Sequence, residues 1–361
     1  MTPAETQRRL AAERETLQVI GSVTKAIAAQ RARAGERPFV GCFKHGGLGD
    51  VMQLAAFAHA VRRARPDAYI VLVCRDLGPD ADGQPLVNNI LRGDGAIDHT
   101  ISYPAQNWQR CVRAFYTEFD VFYEVQYCVS TYDWLDPAAH HHAQLRLQPY
   151  HNYATGFPRS NHWLDDTAMT QWELLAQTSG LDVSDEDLHI QVGTLPAELR
   201  RKKFVCIHNA AGGAALIKCA ALATVNALAA ALRKRRVRVL QVGAAGDPPI
   251  REALDYRGLA INDTAAVIRQ AKLLIDVEGG LGYVARAVGT RRAVFFGPTP
   301  PSVFKFKGDI ILSSFRCRPC WWYEDGWSVN CRRRLPLCEN IPTDGERLAE
   351  VVLEKLKGAK R

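Results

Sequence analysis

Short apolar runs alternate with amphipathic stretches along most of the chain, as expected for a parallel sheet covered by helices. The runs that predict buried strands are 39–43, 69–74, 121–125, 204–208, 237–242, 273–277 and 293–296. Between several of them, apolar residues recur at helical spacing. The sequence therefore predicts an α/β fold in two halves, each opening with a strand, a small-residue turn and a helix.

The pattern changes twice along the chain, and these changes predict the domain organisation. Residues 1–37 are polar and charged, with leucine and isoleucine residues on roughly one side of a helix. This segment either packs on the body or mediates self-association, or it is a frayed leader. Residues 38–195 and 196–361 are predicted to form two Rossmann-like domains that face a cleft.

Composition and charge narrow the classes of ligand and compartment. The chain has 46 Lys+Arg against 38 Asp+Glu, a net charge of +8, which suits anionic ligands, nucleotides or a negatively charged membrane surface. The sequence has no long stripe of basic and aromatic residues, so it does not indicate a nucleic-acid partner. The start of the chain lacks the apolar core of a signal peptide, and its most apolar long run, 219–232, is too short to span a membrane. Ten cysteines without a secretory signal indicate a reducing compartment, so we expect a cytoplasmic protein.

Glycine-bearing turns follow three of the predicted strands, at 46–50, 209–213 and 278–280. Such a turn exposes backbone N–H groups at the positive end of a helix and can bind an anion, although it can also simply close a βα unit. Two familiar phosphate motifs are excluded. The dinucleotide fingerprint beginning at Gly47 would need a third glycine where Met52 stands, and Lys218 lacks the neighbours of a P-loop lysine.

Four cysteines cluster near the C-terminus with the spacing C-x2-C-x10-C-x6-C: Cys317, Cys320, Cys331 and Cys338. Two close pairs of thiolates are typical of a closed tetrahedral site for zinc or iron, which would be structural rather than catalytic. Two disulfides are the alternative. The other six cysteines are scattered and are interpreted as core residues.

The glycine turns carry a resemblance to a known family. Gly46-Gly47-Leu48-Gly49-Asp50 resembles the N-terminal motif of the family 9 glycosyltransferases, the ADP-heptose transferases, and Lys218 matches a lysine of that family. The run from Glu278 to Leu281, followed by a segment ending at Thr299, resembles the family's nucleotide-sugar motif. Two positions depart from it. The usual Asp-Ser/Thr-Gly is Glu278-Gly279-Gly280, and the expected histidine is Tyr283.

With its four-cysteine tail, the chain looks most like the bacterial autotransporter heptosyltransferases, whose cysteine finger holds iron and which assemble into large rings. The resemblance implies a GT-B architecture and a homo-oligomer, with iron, or alternatively zinc, as a structural ion. It also implies that heptose is transferred from ADP-heptose to serine hydroxyls of an autotransporter passenger protein. Inversion at the anomeric carbon and no catalytic divalent ion are expected.

The roles implied for individual residues are as follows. Asp50 would be the general base for the acceptor hydroxyl, although a plain helix-capping role is the alternative. Lys218 would neutralise the departing ADP, the alternative being a solvated lysine. Glu278 would accept hydrogen bonds from ribose or sugar hydroxyls. The remaining nucleotide-sugar positions are Gly46, Gly47, Gly49, Gly279, Gly280, Leu281 and Thr299.

Two other functions fit the same sequence. A lipopolysaccharide-core heptosyltransferase would share the fold and donor but use a lipid-linked acceptor, and the basic charge favours it. A catalytically inactive nucleotide-sugar-binding relative is suggested by Tyr283. The cysteine tail favours the protein-modifying enzyme, and the presence of Asp50 and Lys218 argues against an inactive one.

Overall fold

A computed structural model describes residues 2–104, 118–125, 169–212, 215–314, 316–317, 319–320, 331, 335 and 338–357. The chain opens with a long helix, α1 (Pro3–Ala34), which begins in a capping box formed by Thr2 and Glu5. The C-terminal half of α1 packs on the body through buried Val23 and Ile27. Leu10 and Leu17, in its N-terminal half, are about half exposed. Of the alternatives for residues 1–37, packing on the body is therefore confirmed for the C-terminal half of α1.

The first sheet has four parallel strands in the order β3-β2-β1-β4. Its strands are β1 (Phe39–Lys44), β2 (Tyr69–Arg75), β3 (His99–Tyr103) and β4 (Val121–Glu124), and its helices are α2 (Leu48–Ala64), α3 (Leu86–Ile90) and α4 (Gln171–Ser179). β1 is buried along its whole length because helices cover both faces, which explains why it reads as a continuous apolar run.

The second sheet has six parallel strands in the order β10-β9-β8-β5-β6-β7. They are β5 (Val205–Ile207), β6 (Val239–Gln241), β7 (Leu254–Asp255), β8 (Leu274–Val277), β9 (Arg292–Phe295) and β10 (Ile310–Ile311). Its helices are α5 (Ala215–Lys218), α6 (Leu222–Lys234), α7 (Ile261–Gln270), α8 (Gly280–Ala287), α9 (Pro301–Phe304) and α10 (Gly345–Lys357). The predicted α/β fold with parallel sheets is confirmed, whereas the domain boundaries at residues 37 and 195 stay a prediction.

The two halves meet where α2 and α8 begin. A Cβ on Gly280 would lie 2.9 Å from the Cβ of Leu48, and one on Gly49 would lie 2.8 Å from the ring of Tyr283. Only glycine at these two positions lets the helix N-termini approach so closely. Nearby, the Asp80 carboxylate of the first half accepts the backbone N–H of Ile261 at 2.9 Å. The two glycine turns are therefore held face to face.

The connecting segment between the sheets also ties the halves together. Its 3-10 turn, Asp185–Asp187, lies against both α2 and α8. Asp187 pairs with Arg63 of α2 at 2.5 Å, and Asp185 pairs with Arg286 of α8 at 2.8 Å. No helix in the described part of the chain combines the length and apolar character that crossing a bilayer requires.

Candidate active site in the cleft between the two sheets

A cleft of about 760 Å³ opens between the carboxyl ends of the two sheets, the usual ligand position in open α/β folds. Its walls include the turn after β1, residues 45–50, and the turn after β8, residues 278–281. His208 after β5 and the 243–247 loop after β6 complete the wall of the second sheet. The structure thus brings Asp50, Lys218 and Glu278 into one cavity.

Asp50 occupies the third position of α2 and lines the cleft. Its Oδ2 accepts the backbone N–H of Gly47, the N-cap residue, at 2.8 Å, so the carboxylate does close a capping box. The side chain is nevertheless 37% exposed towards the cleft. A Cβ on Gly46 would lie 2.1 Å from that Oδ2, so glycine at position 46 makes room for the carboxylate. Gly47 has open space beside it and faces the cavity.

A buried lysine stands behind Asp50. The Lys44 side chain is fully buried, its Nζ donates to the carbonyl oxygen of Val125 at 2.7 Å, and it lies 3.5 Å from Asp50 Oδ1. Burial lowers the pKa of Lys44, and the charges of Asp50 and Glu124 act in the opposite direction. This arrangement holds the Asp50 carboxylate in place from the protein side while leaving its other side open to the cleft.

His45, next to this turn, is a neutral group. Its Nδ1 lies 3.0 Å from the hydroxyl of Tyr103. Burial and the nearby charge of Arg75 lower the pKa of His45 to about 4, against a smaller opposing effect of Asp50. At neutral pH the imidazole therefore offers a hydrogen bond but no charge.

Lys218 is paired rather than solvated. It ends α5, and its Nζ donates to Glu278 Oε2 at 2.5 Å, with both side chains largely buried in the cleft wall. Glu278 follows β8 directly, so the pair joins two turns of the second sheet. An ammonium group held in this way has lost most of its side-chain freedom before any ligand arrives.

The turn after β8 presents the start of a helix to the cavity. Gly279 is the N-cap of α8 in an extended conformation, and α8 begins at Gly280. The first amides of a helix have no intrahelical acceptor, and they carry the positive end of its dipole. With Gly279, Gly280 and Leu281 in the cleft wall, these amides lie at the cavity next to Lys218.

His208 is a site residue that the sequence did not reveal. Its Nδ1 lies 2.7 Å from Asp276 of β8, and its Nε2 lies 3.5 Å from Asp247. Burial by itself lowers the pKa of His208, but the two carboxylates outweigh it and raise the pKa to about 9. The imidazole is therefore a cation at neutral pH. A Cβ on Gly243 would lie 2.8 Å from this ring, so the glycine lets the loop pass beside it.

One predicted position, Thr299, has a different environment from the rest. The side chain of Thr299 is 1% exposed and lies outside the lining of the cleft. A Cβ on Gly297, in the same motif, would lie 2.6 Å from the carbonyl oxygen of Ile217, directly before Lys218. This end of the motif therefore supports the short helix that carries Lys218.

Tyr283, at the family's histidine position, is buried in the contact between the halves. Its hydroxyl donates to Gln171 Oε1 at 2.7 Å, and Gln53 donates to the same oxygen at 2.8 Å. Its ring packs edge-on against Phe306, with centroids 5.3 Å apart. Burial raises the pKa of Tyr283, so the hydroxyl stays protonated. These contacts give Tyr283 a packing role that requires no chemistry.

The four tail cysteines are free thiols, each partly buried. Burial, together with the smaller effect of the charges of Cys338, Cys331 and Cys317, raises the pKa of Cys320 to about 12. Such a set fits a divalent cation in kind, because the ion would neutralise thiolates that otherwise repel one another. No three of these described sulfurs lie within 4.8 Å of one another, so the metal finger stays a prediction. Asn340 ties the segment to the body, accepting the N–H of Cys317 at 2.8 Å.

Comparison with solved structures identifies the fold. The chain matches E. coli ADP-heptose lps heptosyltransferase II with a TM-score of 0.54 and 12% identity, over 89% of this chain and 98% of the other. It matches a family 9 glycosyl transferase from Veillonella parvula with a TM-score of 0.55 and 12% identity, over 89% and 98%. The fold is that of the family 9 glycosyltransferases. The predicted likeness to that family is thereby confirmed at the level of the fold.

A third match concerns a larger protein. The dodecameric iron-containing heptosyltransferase TibC, in complex with ADP-D-β-D-heptose, aligns with a TM-score of 0.58 and 14% identity. The alignment covers 89% of this chain and 76% of TibC, which comes from enterotoxigenic E. coli. A scan against protein-family models and a search of curated proteins each returned no match.

Proposed function

We propose that the protein is a glycosyltransferase that moves heptose from ADP-heptose to serine hydroxyls of an autotransporter passenger protein. The observation that carries this proposal is the cleft, in which the Asp50 carboxylate faces a wall that contains two cationic side chains and a helix N-terminus. Asp50 stands on the side of the first sheet, while Lys218, His208 and the amides of α8 stand on the side of the second. The likeness in fold to heptosyltransferases supports the choice of sugar.

Asp50 is proposed as the general base. It would take the proton from the serine hydroxyl as the Oγ forms a bond to the anomeric carbon and the bond to the ADP oxygen breaks. The electron pair of that bond leaves with ADP. Since the base and the cationic wall lie on opposite sides of the cleft, the hydroxyl attacks from the face opposite ADP, and the anomeric configuration inverts.

The second sheet supplies the charge that the leaving group needs. Lys218 is proposed to lie beside the diphosphate together with the amides of Gly280 and Leu281. The His208 cation adds a fixed positive charge in the same wall. Two cationic side chains and a helix N-terminus provide stabilisation of the kind that a divalent ion gives in other transferases, so we propose that no catalytic metal ion takes part.

Glu278 is proposed to have two functions. It holds Lys218 in the resting cleft through their 2.5 Å contact. On donor binding, the same carboxylate would accept hydrogen bonds from a ribose or sugar hydroxyl, since a carboxylate next to a diphosphate is favourable only where a cation or a donor hydroxyl separates them.

The four-cysteine tail supports the protein-modifying form of this activity. We propose that Cys317, Cys320, Cys331 and Cys338 hold a structural iron ion, with zinc as the alternative, and that the chain forms a homo-oligomer. The ion, when bound, would cross-link the irregular tail. Asn340 and Gly297 connect that tail to the residue before Lys218, so the metal would support the donor side of the cleft from behind.

A second function is a transferase that adds heptose to a lipopolysaccharide core. The specific observation in its favour is the match to lps heptosyltransferase II, which extends over 98% of that chain. The net charge of +8 would also suit a phosphorylated acceptor on a membrane. The two functions share the donor and the proposed base, and they differ only in the acceptor.

The test offers ADP-heptose with a passenger fragment in one reaction and with a truncated lipopolysaccharide core in another, and reads the intact mass of each acceptor. Heptose increments on the passenger that disappear in Asp50→Asn are the expected result. An increment on the lipid core alone would select the second function. If ADP binds but neither acceptor gains mass, the protein is a nucleotide-sugar-binding relative.

A further inference from the structure

A group of three metal-type ligands lies apart from the cleft and from the cysteine tail. His59 is on α2, Asp94 is in the loop before β3, and His189 follows the 3-10 turn of the connecting segment. One ligand atom from each lies within 4.8 Å of the other two. His59 Nε2 is 3.1 Å from Asp94 Oδ1, and His189 Nε2 is 3.2 Å from Asp94 Oδ2. Two imidazoles therefore converge on the two oxygens of one carboxylate.

Two polar atoms at the centre of this group lack ordinary hydrogen bonds, whereas Asp94 Oδ1 accepts the backbone N–H of Ala96 at 2.9 Å. The Asp94 side chain is 2% exposed, yet its Oδ2 has no hydrogen-bond partner of acceptable geometry among the described residues. Nε2 of His59 is likewise buried and without such a partner among the described residues. A buried carboxylate oxygen and a buried ring nitrogen left in this state cost free energy unless something else binds them.

The tautomer of His189 indicates what that partner is. Its Nδ1 lies 3.3 Å from the carbonyl oxygen of Asp187, an acceptor, so the proton of the neutral ring belongs on Nδ1. Nε2 then directs a lone pair at the carboxylate 3.2 Å away. Two electron-pair donors at that separation need a cation between or beside them, and Asp94 raises the pKa of His189, so a proton on Nε2 is one candidate. A backbone carbonyl that fixes the ring in this way is the usual outer contact of a metal-binding histidine.

Two cations could fill this role, a proton or a metal ion. If each histidine carried a proton on Nε2, both would donate N–H···O bonds to Asp94. His59 Nε2 lies only 3.1 Å from Asp94 Oδ1, but the angles do not fit a hydrogen bond. A metal ion places no such demand on the N···O direction, because each ligand points at the ion and not at its neighbour. Two imidazoles and one carboxylate are ligands typical of zinc and related transition ions, and magnesium and calcium prefer all-oxygen sites.

We propose that His59, Asp94 and His189 bind one divalent transition-metal ion of the zinc type, with water completing the coordination. The site would fasten the connecting segment to α2 and to the loop before β3. Arg63 of α2 already holds the same segment through Asp187 at 2.5 Å. Since the segment also contacts α8 through Asp185, the ion would stabilise the relative position of the two halves without touching the cleft.

The experiment measures zinc per chain by elemental analysis after saturation of metal-stripped protein with Zn²⁺ and removal of the excess. It compares wild type with His59→Ala, His189→Ala and Asp94→Asn, and uses His99→Ala on β3 as the matched histidine control. We expect each cluster variant to lose one equivalent of zinc and the control to lose none. Zn²⁺ should also raise the unfolding temperature of the control more than that of the cluster variants.

A cobalt spectrum separates this site from the cysteine tail. Co²⁺ bound to thiolates gives intense sulfur charge-transfer absorption, whereas nitrogen and oxygen ligands give only weak visible bands. The cluster variants should lose the weak bands and keep any charge transfer. If His59→Ala and His189→Ala fold, bind as much zinc as wild type and keep the same cobalt spectrum, the group holds protons and the proposal is wrong.

Discussion

The two halves of the molecule each place a histidine directly after their first strand, and the two rings have opposite properties. His45 follows β1 and has a pKa lowered to about 4, while His208 follows β5 and has a pKa raised to about 9. Both line the cleft. The same strand end therefore carries a neutral ring in one half and a cation in the other.

The surrounding charges explain the difference. Burial lowers the pKa of both rings, but His45 has Arg75 nearby, whereas His208 lies between Asp276 and Asp247. A neutral His45 thus adds no charge beside Asp50, whose cationic neighbour is Lys44 at 3.5 Å. The second half instead holds its histidine as a cation between two carboxylates in the cleft wall. The comparison teaches that one repeated topology can set opposite protonation states at equivalent strand ends.

The largest effect should come from removing the proposed base. Asp50→Asn keeps the size of the side chain but removes the basic oxygen, so kcat should fall by about 10²–10⁴ while ADP affinity changes little. Steady-state kinetics and ADP titration measure both quantities. Glu173→Ala is the matched control, because Glu173 is the capping carboxylate of α4 outside the cleft. If kcat falls by a comparable factor in Glu173→Ala, losing a capping carboxylate is enough to explain the effect, and Asp50 is a helix cap and not the base.

The two histidines should make stability fall at opposite ends of the pH range. The raised pKa of His208 gives a contribution that is complete below pH ~6.5 and is lost as the pH rises through about 9, roughly 3 kcal/mol of unfolding free energy. The lowered pKa of His45 makes stability fall as the pH drops from ~6.5 through about 4. Urea unfolding at a series of pH values measures this. In His208→Gln, the unfolding free energy should no longer fall at alkaline pH, while its fall at acid pH should be unchanged. Flattening of the acid limb by that substitution would contradict the assignment.

ADP binding should distinguish the same two rings. His208→Gln removes a cation from the diphosphate wall and should weaken ADP binding by roughly tenfold to a hundredfold at pH 7. His45→Gln removes a neutral ring and should leave ADP affinity within about threefold of wild type, which is no more than the net contribution of one neutral hydrogen bond. Calorimetric titration measures both. If ADP affinity falls equally in the two variants, the different charges of His208 and His45 do not affect ADP binding.

The close approach of the two glycine turns predicts a more moderate effect. Gly280→Ala places a Cβ 2.9 Å from that of Leu48, so it should cost about 1–3 kcal/mol of unfolding free energy through overpacking. Gly47→Ala is the control, because nothing lies within 4 Å of its added Cβ. Denaturant unfolding compares the pair. A stable Gly280→Ala variant would show that the halves are not packed as closely as described.

The smallest effect should come from Tyr283→Phe. The change removes the hydroxyl that donates to Gln171, while Gln53 still donates to the same oxygen. We expect a loss of about 1 kcal/mol in stability and a change in kcat of less than about threefold. Thermal unfolding and kinetics report the two quantities. A drop in kcat by orders of magnitude with unchanged stability would give this tyrosine a catalytic role.

Much of the architecture was predictable because it depends on local pattern. The apolar runs beginning at residues 39, 69 and 273 became strands within one residue of the predicted bounds, since a strand buried on both faces needs an uninterrupted apolar sequence. Gly289 follows the C-cap of α8 with φ +76°, a left-handed conformation for which glycine is the usual residue after a helix. The glycine turns could be found for the same reason, because a close approach of backbone excludes a side chain.

The rest of the site depends on residues far apart in sequence. His208 and Asp276 are 68 residues apart, so no local pattern marks the ring as charged. Lys218 and Glu278 were each predicted in the site, but their direct pairing over 60 residues was not. The position of His208 directly after a buried parallel strand was the one available signal, since such strand ends meet at the ligand edge of a sheet.

The sequence by itself determined the alternation of strands and helices, the places where backbones meet, and the candidate acid, base and thiol groups. Only the tertiary structure decided which of these groups are charged, which pair with one another, and that His59, Asp94 and His189 converge. The physical reason is that backbone conformation and burial follow from neighbours along the chain. Protonation and ligand geometry instead follow from distances between groups that the fold alone brings together.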